Sequence, residues 1–227
     1  MKKILIPVLV SFTTLGLATA CNSSTNNAVE NSKNTDITAE LNIESKKVIE
    51  EYNSLILEFQ NSDDEKKTTQ KLKSLIPRLE QINSDKERNR ILINTYLRIG
   101  EIDRAYEFIE EILSKDKRPN LKNFQCMLME SLNKSPSLIQ DCYLAAASLY
   151  KNKLDKLDPS EAMYTKILWG YNVNMLHAGN REYINQLKKI VNDQKSEQDK
   201  MMYESLFELE TNIEQRQQLL TTIASSI

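Results

Sequence analysis

Apolar residues recur every three or four positions along most of the chain, which is the spacing of amphipathic α-helices. The first clear stripe is formed by Val48, Tyr52, Leu55, Ile56 and Phe59. Short polar stretches separate the stripes and carry residues typical of helix ends. The pattern predicts ten helices, at 37–60, 64–82, 85–99, 102–114, 120–133, 136–151, 159–178, 181–193, 196–210 and 212–224.

Several of the predicted helix ends have a clear chemical cause. The sequence Ser-Asp-Lys-Glu at 84–87 is a capping box, in which the first and last side chains bond the free backbone N–H groups of a helix start. Gly100 and Gly179 end helices because glycine adopts the left-handed conformation without steric cost. Asp-Pro-Ser-Glu at 158–161 combines a cap, a first-position proline and an acidic residue. We expect this last sequence to be the strongest helix start in the chain.

The predicted helices follow one another through short turns, so they form five antiparallel pairs. The pairs begin near 37, 85, 120, 159 and 196, a spacing typical of stacked repeats. Glycine is scarce, with 4 in 227 residues, which disfavours β-hairpins and phosphate-binding loops. We therefore predict an all-α fold of stacked antiparallel helix pairs, forming either an α-solenoid or an irregular helical bundle.

The segment 89–119 resembles a tetratricopeptide repeat, a family of helix pairs that stack into solenoids. The positions that match the family's signature are Leu92, Tyr96, Gly100 and Ala105, with Pro119 two residues later than usual. Two positions differ, because Ile93 and Ile112 stand where the family has small residues. The resemblance implies a tetratricopeptide-like domain in which these larger side chains push neighbouring helices apart.

In this family, the ligand groove is lined by the first helix of each pair. Carried over to this chain, the resemblance implies a partner-binding face formed by Glu87, Arg90, Asn94 and Leu97. Arg90 and Asn94 lie one turn apart, so both can reach the carboxylate of a peptide. The alternative is an ordinary solvated helix face. Trp169, the only tryptophan, is either a further contact for a partner or an anchor between helices.

The first residues of the chain have the layout of an export signal. Two lysines precede the uncharged run 4–20, and Cys21 follows directly. The stretch Leu-Ala-Thr-Ala-Cys at 17–21 resembles the lipobox of bacterial lipoproteins, although Ala18 stands where the family favours leucine. The resemblance implies that residues 1–20 are a signal peptide and that Cys21 is acylated, with palmitate or a similar chain on its sulfur. The alternative is an ordinary cleaved signal that leaves Cys21 as a free thiol.

Residues 21–36 are rich in Asn, Ser and Thr and hold almost no large apolar side chains. Such a segment does not bury enough surface to offset its loss of conformational entropy. We therefore expect a flexible tether between the acylated Cys21 and a folded α-helical domain at 37–227. Two or three lipid chains suffice for a stable membrane anchor. The expected location is the cell envelope, either facing the periplasm from the outer membrane or on the outer face of the cell membrane.

Lipidation of Cys21 leaves two further cysteines, Cys126 and Cys142. The turn between the helices predicted at 120–133 and 136–151 lies midway between them, so both sulfurs are about 12 Å from this turn on adjacent antiparallel helices. An extracytoplasmic compartment permits a disulfide between them, and closing a loop of this length is worth about 3 kcal/mol. The alternative is two buried free thiols, which behave as small apolar side chains.

No cluster of residues in the sequence indicates catalysis or metal binding. His177 is the only histidine and lies near a predicted helix end, where a capping or half-buried role is favoured over catalysis. A single histidine without a close pair of thiolates does not make a zinc site. The acidic clusters at 63–65 and 107–111 lie where solvated charge is normal on helices. We expect no enzyme activity, no metal and no cofactor.

The charge of the chain argues against one class of partner. It has 30 basic and 32 acidic residues without a basic block, so nucleic acid is not an expected partner. Two functions fit the sequence. The first is a lipid-anchored, non-catalytic module that binds another protein or peptide of the cell envelope. The alternative is an immunity lipoprotein that binds and neutralises a secreted toxin or effector.

Overall fold

The computed structural model describes residues 40–61 and 64–225, and every regular element in these two segments is a helix. The predicted all-α fold is therefore confirmed. The predicted signal peptide 1–20, Cys21 and the tether 21–36 lie outside the described residues. The helices are α1 (Ile43–Asn61), α2 (Glu65–Leu79), α3 (Asp85–Arg98), α4 (Ile102–Lys115), α5 (Pro119–Ser131), α6 (Pro136–Leu154), α7 (Tyr164–His177), α8 (Tyr183–Asn192), α9 (Glu197–Thr211) and α10 (Ile213–Ser225).

Helix α1 begins at Ile43, where the prediction places its start at 37. The start of α7 also differs from the prediction. The prediction places it at 159, whereas the helix begins at Tyr164. Asp158 Oδ1 accepts a hydrogen bond from the backbone N–H of Ser160 at 2.8 Å, and Glu161 Oε1 accepts one from the backbone N–H of Asp158 at 2.7 Å. The side chains thus close a turn on themselves and compete with helical hydrogen bonds. Asp158 and Glu161 thus form capping hydrogen bonds as expected, but these bonds stabilise an isolated turn and not the first turn of α7.

Three helices end with the same left-handed turn. Gly100, Asn133 and Gly179 have φ angles of 77°, 50° and 97° at the ends of α3, α5 and α7. In each turn, the following residue donates its backbone N–H to a carbonyl five positions earlier; the pairs are Glu101–Tyr96 at 2.8 Å, Lys134–Met129 at 3.0 Å and Asn180–Met175 at 3.1 Å. This arrangement satisfies the terminal carbonyls of the helix. It also reverses the chain, so that α4, α6 and α8 each pack against the preceding helix.

The order of packing changes at α5. From α1 to α5, each helix packs on the next to form a serial stack. From α5 onward the chain curls back, because α10 packs on both α9 and α5. Helices α5 to α10 therefore close into a ring, whereas an open solenoid leaves its last helix without an earlier neighbour. The described chain thus combines a stack of helix pairs with a closed helical bundle.

Buried apolar residues fill both parts of the fold. In the serial stack, the most deeply buried are Leu72, Leu79, Ile82, Ile91, Leu92 and Ile109. In the ring, one cluster surrounds the two cysteines of α5 and α6. A second cluster lies among α7, α8 and α9 and comprises Trp169, Val173, Leu187, Ile190, Val191 and Tyr203. The ring is therefore held by apolar packing between neighbouring helices, as expected from their stripes.

Gly170 allows α6 and α7 to approach closely. A Cβ atom at this position would overlap the aromatic ring of Tyr150, whose Cδ1 atom would be only 2.8 Å away. Tyr150 cannot move aside freely, because it is itself only 9% exposed. Burial and the negative charge of Glu210 together raise the pKa of Tyr150 to about 12, so its hydroxyl stays protonated at neutral pH.

We predict that Gly170→Ala lowers the free energy of unfolding by about 1–3 kcal/mol, because the added methyl group overpacks this contact. In an ordinary helix interior the same change stabilises a protein by roughly 0.5–1 kcal/mol. The sign of the change in the free energy of unfolding therefore shows whether the close contact exists. Urea unfolding followed by circular dichroism measures it. Adding Tyr150→Leu makes room for the methyl group, so the two changes together should cost less than the sum of their separate effects. A Gly170→Ala protein at least as stable as the wild type would contradict the close contact.

Candidate functional site

The predicted partner-binding face on α3 is partly used within that helix. Arg90 donates hydrogen bonds from Nε and Nη2 to Oε2 of Glu87, at 3.1 and 2.8 Å. These two side chains and Asn94 are half-exposed and remain accessible to a partner. Leu97 is only 7% exposed and belongs to the core instead. The structure therefore corrects the predicted face to three polar side chains, two of which already neutralise each other.

Trp169 is buried between helices. It is 8% exposed, and its ring centroid lies 5.0 Å from that of Tyr203 in α9. Together with Val173 and Leu187 it belongs to the apolar cluster among α7, α8 and α9. Trp169 therefore has the second of its two expected roles, that of an anchor between helices. Its side chain is not exposed to a partner.

A disulfide joins Cys126 of α5 to Cys142 of α6, and their Cα atoms lie 5.6 Å apart. Both residues are buried, and Tyr143 and Ala146 pack in the same cluster. The bond crosses the left-handed turn at Asn133 and ties two neighbouring members of the ring together. The bond therefore cross-links α6 to α5, which is the helix on which α10 packs.

The centre of the ring holds five polar side chains from α5, α6, α7, α9 and α10. We call this set the Arg216 network; its members are Glu130, Tyr143, His177, Glu210 and Arg216. Arg216 donates from Nη2 to Glu130 Oε1 at 2.8 Å and from Nη1 to Glu210 Oε2 at 2.7 Å. His177 Nε2 donates to the same oxygen of Glu210 at 2.7 Å. The hydroxyl of Tyr143 accepts from Arg216 Nη2 at 2.7 Å and donates to Glu130.

The members of the Arg216 network are nearly removed from water. The side chains of Arg216, His177, Glu210 and Glu130 are 11%, 11%, 9% and 18% exposed. Taking an ion out of water costs several kcal/mol unless it is paired and hydrogen-bonded. Here each carboxylate meets a cation, and the guanidinium uses its planar fork on both carboxylates. The arrangement therefore satisfies these charges inside the protein and leaves them engaged with one another.

The network fixes the protonation states of two of its members. Burial alone would raise the pKa of the Glu210 carboxyl, but the hydrogen bond from His177 and the charge of Arg216 outweigh it and hold this pKa below its ordinary value of 4.5. Burial is also the main cause that raises the pKa of Tyr143 well above 10, with the positive charge of Arg216 opposing it. At neutral pH, Glu210 is therefore ionised and Tyr143 protonated, as the hydrogen bonds require.

Of these five residues, the sequence alone singled out only His177. Glu130, Glu210 and Arg216 each occupy a helical position that would otherwise carry an apolar side chain. Glu210 continues the stripe of Tyr203, Leu206 and Phe207 in α9, and Arg216 begins the stripe of Leu219, Leu220 and Ile223 in α10. A charge at an apolar position on several helices is a signal that periodicity alone contains. His177 was expected to be half-buried near a helix end, and it lies there with Glu210 as its partner.

A cleft of 460 Å³ lies beside the Arg216 network, between the turn after α5 and helix α10. Its charged walls are Glu130, Lys134 and Arg216, and its apolar walls are Ile139, Ile213 and Leu220. Its volume is in the range of small-molecule sites. Glu130 and Arg216 form an ion pair with each other at 2.8 Å, so neither of them is an unpaired charge in the cleft.

A second concave region, the α8–α9 groove, has a volume of 700 Å³. It is lined by Lys188, Val191 and Asn192 of α8 and by Met201, Glu204, Ser205, Phe207 and Glu208 of α9. Val191 and Phe207 are its least exposed members. The ammonium group of Lys188 lies 5.9 Å from the centroid of the Phe207 ring. The groove thus has apolar side chains at its base and charged ones at its edges, which is the distribution found in protein–protein interfaces.

Comparisons with known proteins give no relative for this chain. No protein-family model, no curated protein and no solved structure matches it. Within residues 40–61 and 64–225, no helix is both long and apolar enough to cross a membrane. In the same residues, no three His, Cys, Asp or Glu side chains are grouped to hold a metal ion.

The Arg216 network makes stability depend on pH in a defined direction. The pKa of Glu210 is lowered in the folded state, so its contribution to stability is complete above about pH 4.5 and is lost as the pH falls through the folded value. We predict that Glu210→Gln flattens the decline in the free energy of unfolding between pH 5 and pH 3. Denaturant unfolding at several pH values measures this slope.

The matched control for this experiment is Glu111→Gln. The pKa of Glu111 is also lowered, by its hydrogen bond with Lys115, but its side chain is 61% exposed and solvent screens the pair. The slope should therefore stay close to that of the wild type in Glu111→Gln. Equal slopes in the wild type and in Glu210→Gln would show that Glu210 is not held ionised by its neighbours.

Proposed function

We propose that this chain is a lipid-anchored lipoprotein of the cell envelope whose helical domain is a non-catalytic protein-interaction module. The observation that carries the proposal is the α8–α9 groove, which combines an apolar base with charged edges on a closed helical scaffold. The ionisable side chains in the centre of the ring are paired with one another, so their chemistry serves the fold. The exposed side chains are therefore the ones available to bind a partner.

The proposed location rests on two independent features of the cysteines. The stretch at 17–21 resembles a lipobox that ends at Cys21. The other two cysteines, Cys126 and Cys142, are disulfide-bonded in the structure, and such bonds persist in oxidising compartments outside the cytoplasm. Both features agree with a chain that is exported and then anchored to a membrane by its first mature residue.

We further propose that α3 and α4 form a tetratricopeptide-like unit. The support is local: Leu92, Tyr96 and Ala105 are buried at 2%, 3% and 0% exposure, and Gly100 has the left-handed conformation that the turn between the two helices needs. In this unit, Glu87, Arg90 and Asn94 lie on the first helix and form a second surface available to a partner.

A second candidate function, an immunity lipoprotein that neutralises a toxin or effector, is favoured by one observation. Helix α9 carries four exposed acidic residues and one lysine, and a clustered acidic surface suits a protein that covers the basic cleft of one enzyme. The identity of the captured partner separates the two candidates, because an envelope protein supports the first and a secreted effector supports the second.

The proposal is tested by examining the chain as its own cell makes it. We predict that mass spectrometry of the membrane fraction finds Cys21 as an acylated N-terminal residue and Cys126 bonded to Cys142. Crosslinking in living cells followed by affinity capture should return one dominant protein partner. A Cys21→Ser variant is the control, because it should lose the membrane fraction and retain the disulfide. An unmodified residue 21, a product that keeps its leader in the cytoplasm, or turnover of an envelope substrate by the purified chain would contradict the proposal.

A further inference from the structure

We propose that the α8–α9 groove binds a basic amphipathic helix of the partner protein. This inference rests on the proposed function and adds the chemistry of the segment that is recognised. Grooves between helices commonly accept an amphipathic helix that lays its apolar face into them.

The first argument is the charge of α9. This helix contains five acidic residues and a single basic one, Lys200. Glu210 points into the ring and bonds Arg216 and His177. The remaining acidic residues are exposed and leave the outer side of the helix negative; they are Glu197, Asp199, Glu204 and Glu208. A partner segment with positive charge therefore complements this surface.

The second argument is that the carboxylates of the groove have no partner among residues 40–61 and 64–225. In the described residues, neither Glu204 nor Glu208 forms an ion pair or a hydrogen bond through its side chain. The serial stack behaves differently, because its exposed carboxylates commonly meet a cation; examples are Glu51 with Arg78 at 2.5 Å, Glu58 with Lys71 at 2.5 Å and Glu101 with Lys73 at 3.1 Å. Glu204 and Glu208 are therefore free to pair with charges that a partner brings.

The third argument is the apolar surface beside these carboxylates. Met201 is 59% exposed and Met202 is 38% exposed. Methionine side chains are flexible and polarizable, so they adapt to the apolar residues of a partner. Met201 lies in the groove with Phe207, whose ring is only half-buried. Exposed ion pairs contribute little binding energy by themselves. The apolar surface of Met201 and Phe207 adds the hydrophobic contact that a partner also needs.

The spacing of these residues defines the partner segment. Met201, Glu204 and Glu208 lie at positions i, i+3 and i+7 of α9, so they share one face and span about 10 Å along the helix. A complementary helix has an apolar stripe for Met201 and Phe207 and lysines or arginines one turn apart for the two carboxylates. Lys188, on the α8 wall, repels a partner that is basic on both flanks and thus favours one orientation.

Charge also argues against the other possible occupants of the groove. A second copy of the chain would place one acidic α9 against another. An anionic lipid surface would be repelled in the same way. The tether at 21–36 contains Glu30, Lys33 and Asp36, so it has no excess of positive charge. A basic segment of another protein is the occupant that remains.

The experiment uses the full acylated chain in detergent, labelled with ¹³C at the methionine methyl groups. The probe is a 14-residue model peptide with leucines at i, i+3, i+4 and i+7 and lysines one turn apart on its flank. We expect the peptide to bind with a micromolar dissociation constant and to shift the methyl signals of Met201 and Met202. The signals of Met127 and Met129, which are 3% and 8% exposed, should stay in place. A peptide with glutamates instead of lysines should bind at least about tenfold more weakly.

Variants test the two carboxylates directly. Glu204→Gln with Glu208→Gln should weaken the lysine peptide about tenfold. The matched control, Glu107→Gln with Glu214→Gln, removes two exposed carboxylates that lie neither in the groove nor on α9, and it should leave the affinity unchanged. Equal binding of both peptides, or an unchanged affinity in the groove variant, would overturn the inference. So would shifts of Met201 and Met202 that appear with chain concentration alone or with anionic lipid nanodiscs, since these would assign the groove to a second copy or to a membrane.

The same groove variant separates this inference from the proposed function. If it still captures the dominant cellular partner as the wild type does, the interaction module stands and the groove is not its binding site. If the wild type itself captures no partner, the proposed function fails whatever the model peptide does. Loss of the partner only in the groove variant, and not in the control variant, supports both.

Discussion

The arrangement of the ring depends on the ion pairs that the guanidinium group of Arg216 forms. This group lies between the carboxylates of Glu130 and Glu210 and so connects the last helix, α10, to α5 and α9 at once. Replacing Arg216 with a neutral residue is strongly destabilising, because removing one member of a buried ion pair leaves the other uncompensated and costs about 3–5 kcal/mol. Apolar packing of Leu219 and Ile223 brings α10 to the ring, whereas the charges fix where along α5 and α9 it lies.

Closing the ring has consequences for the surfaces that face solvent. The disulfide joins α5 to α6, the close contact at Gly170 joins α6 to α7, and the cluster around Trp169 joins α7 to α8 and α9. Helices α8 and α9 are thereby held side by side with their outer faces free, and the groove between them is a lasting feature of the fold. The polar interior and the α8–α9 groove are therefore both consequences of closing the ring. The carboxylates that face inward are both paired with Arg216, whereas Glu204 and Glu208, which face outward, form no ion pair within the described residues.

Much of this fold follows from the sequence, because helix positions depend on local patterns. The apolar stripes, the left-handed glycines at 100 and 179, and the cysteine spacing all act within a helix or across one turn, and the helices appear where they were expected. The start of α7 was missed because the side chains of Asp158 and Glu161 close a separate turn there. The contact of α10 with α5 was not predictable from periodicity, since it joins residues far apart in the chain. Periodicity marks Glu130, Glu210 and Arg216 as charges at apolar helix positions, but it does not show that they pair with one another, because they too are far apart in the chain.

The most direct test of this account is amide hydrogen exchange of α10 in the wild type and in Arg216→Met. The account predicts that α10 of the wild type exchanges as slowly as α5 and α6, because the ring opens as a unit. In Arg216→Met, α10 should lose protection by at least about 100-fold, with a loss of about 3–5 kcal/mol in the free energy of unfolding, while α1 to α4 keep their protection. Lys151→Met is the control, since its exposed pair with Asp155 contributes little. If α10 already exchanges rapidly in the wild type, or if its protection is the same in Arg216→Met, then Arg216 does not close the ring.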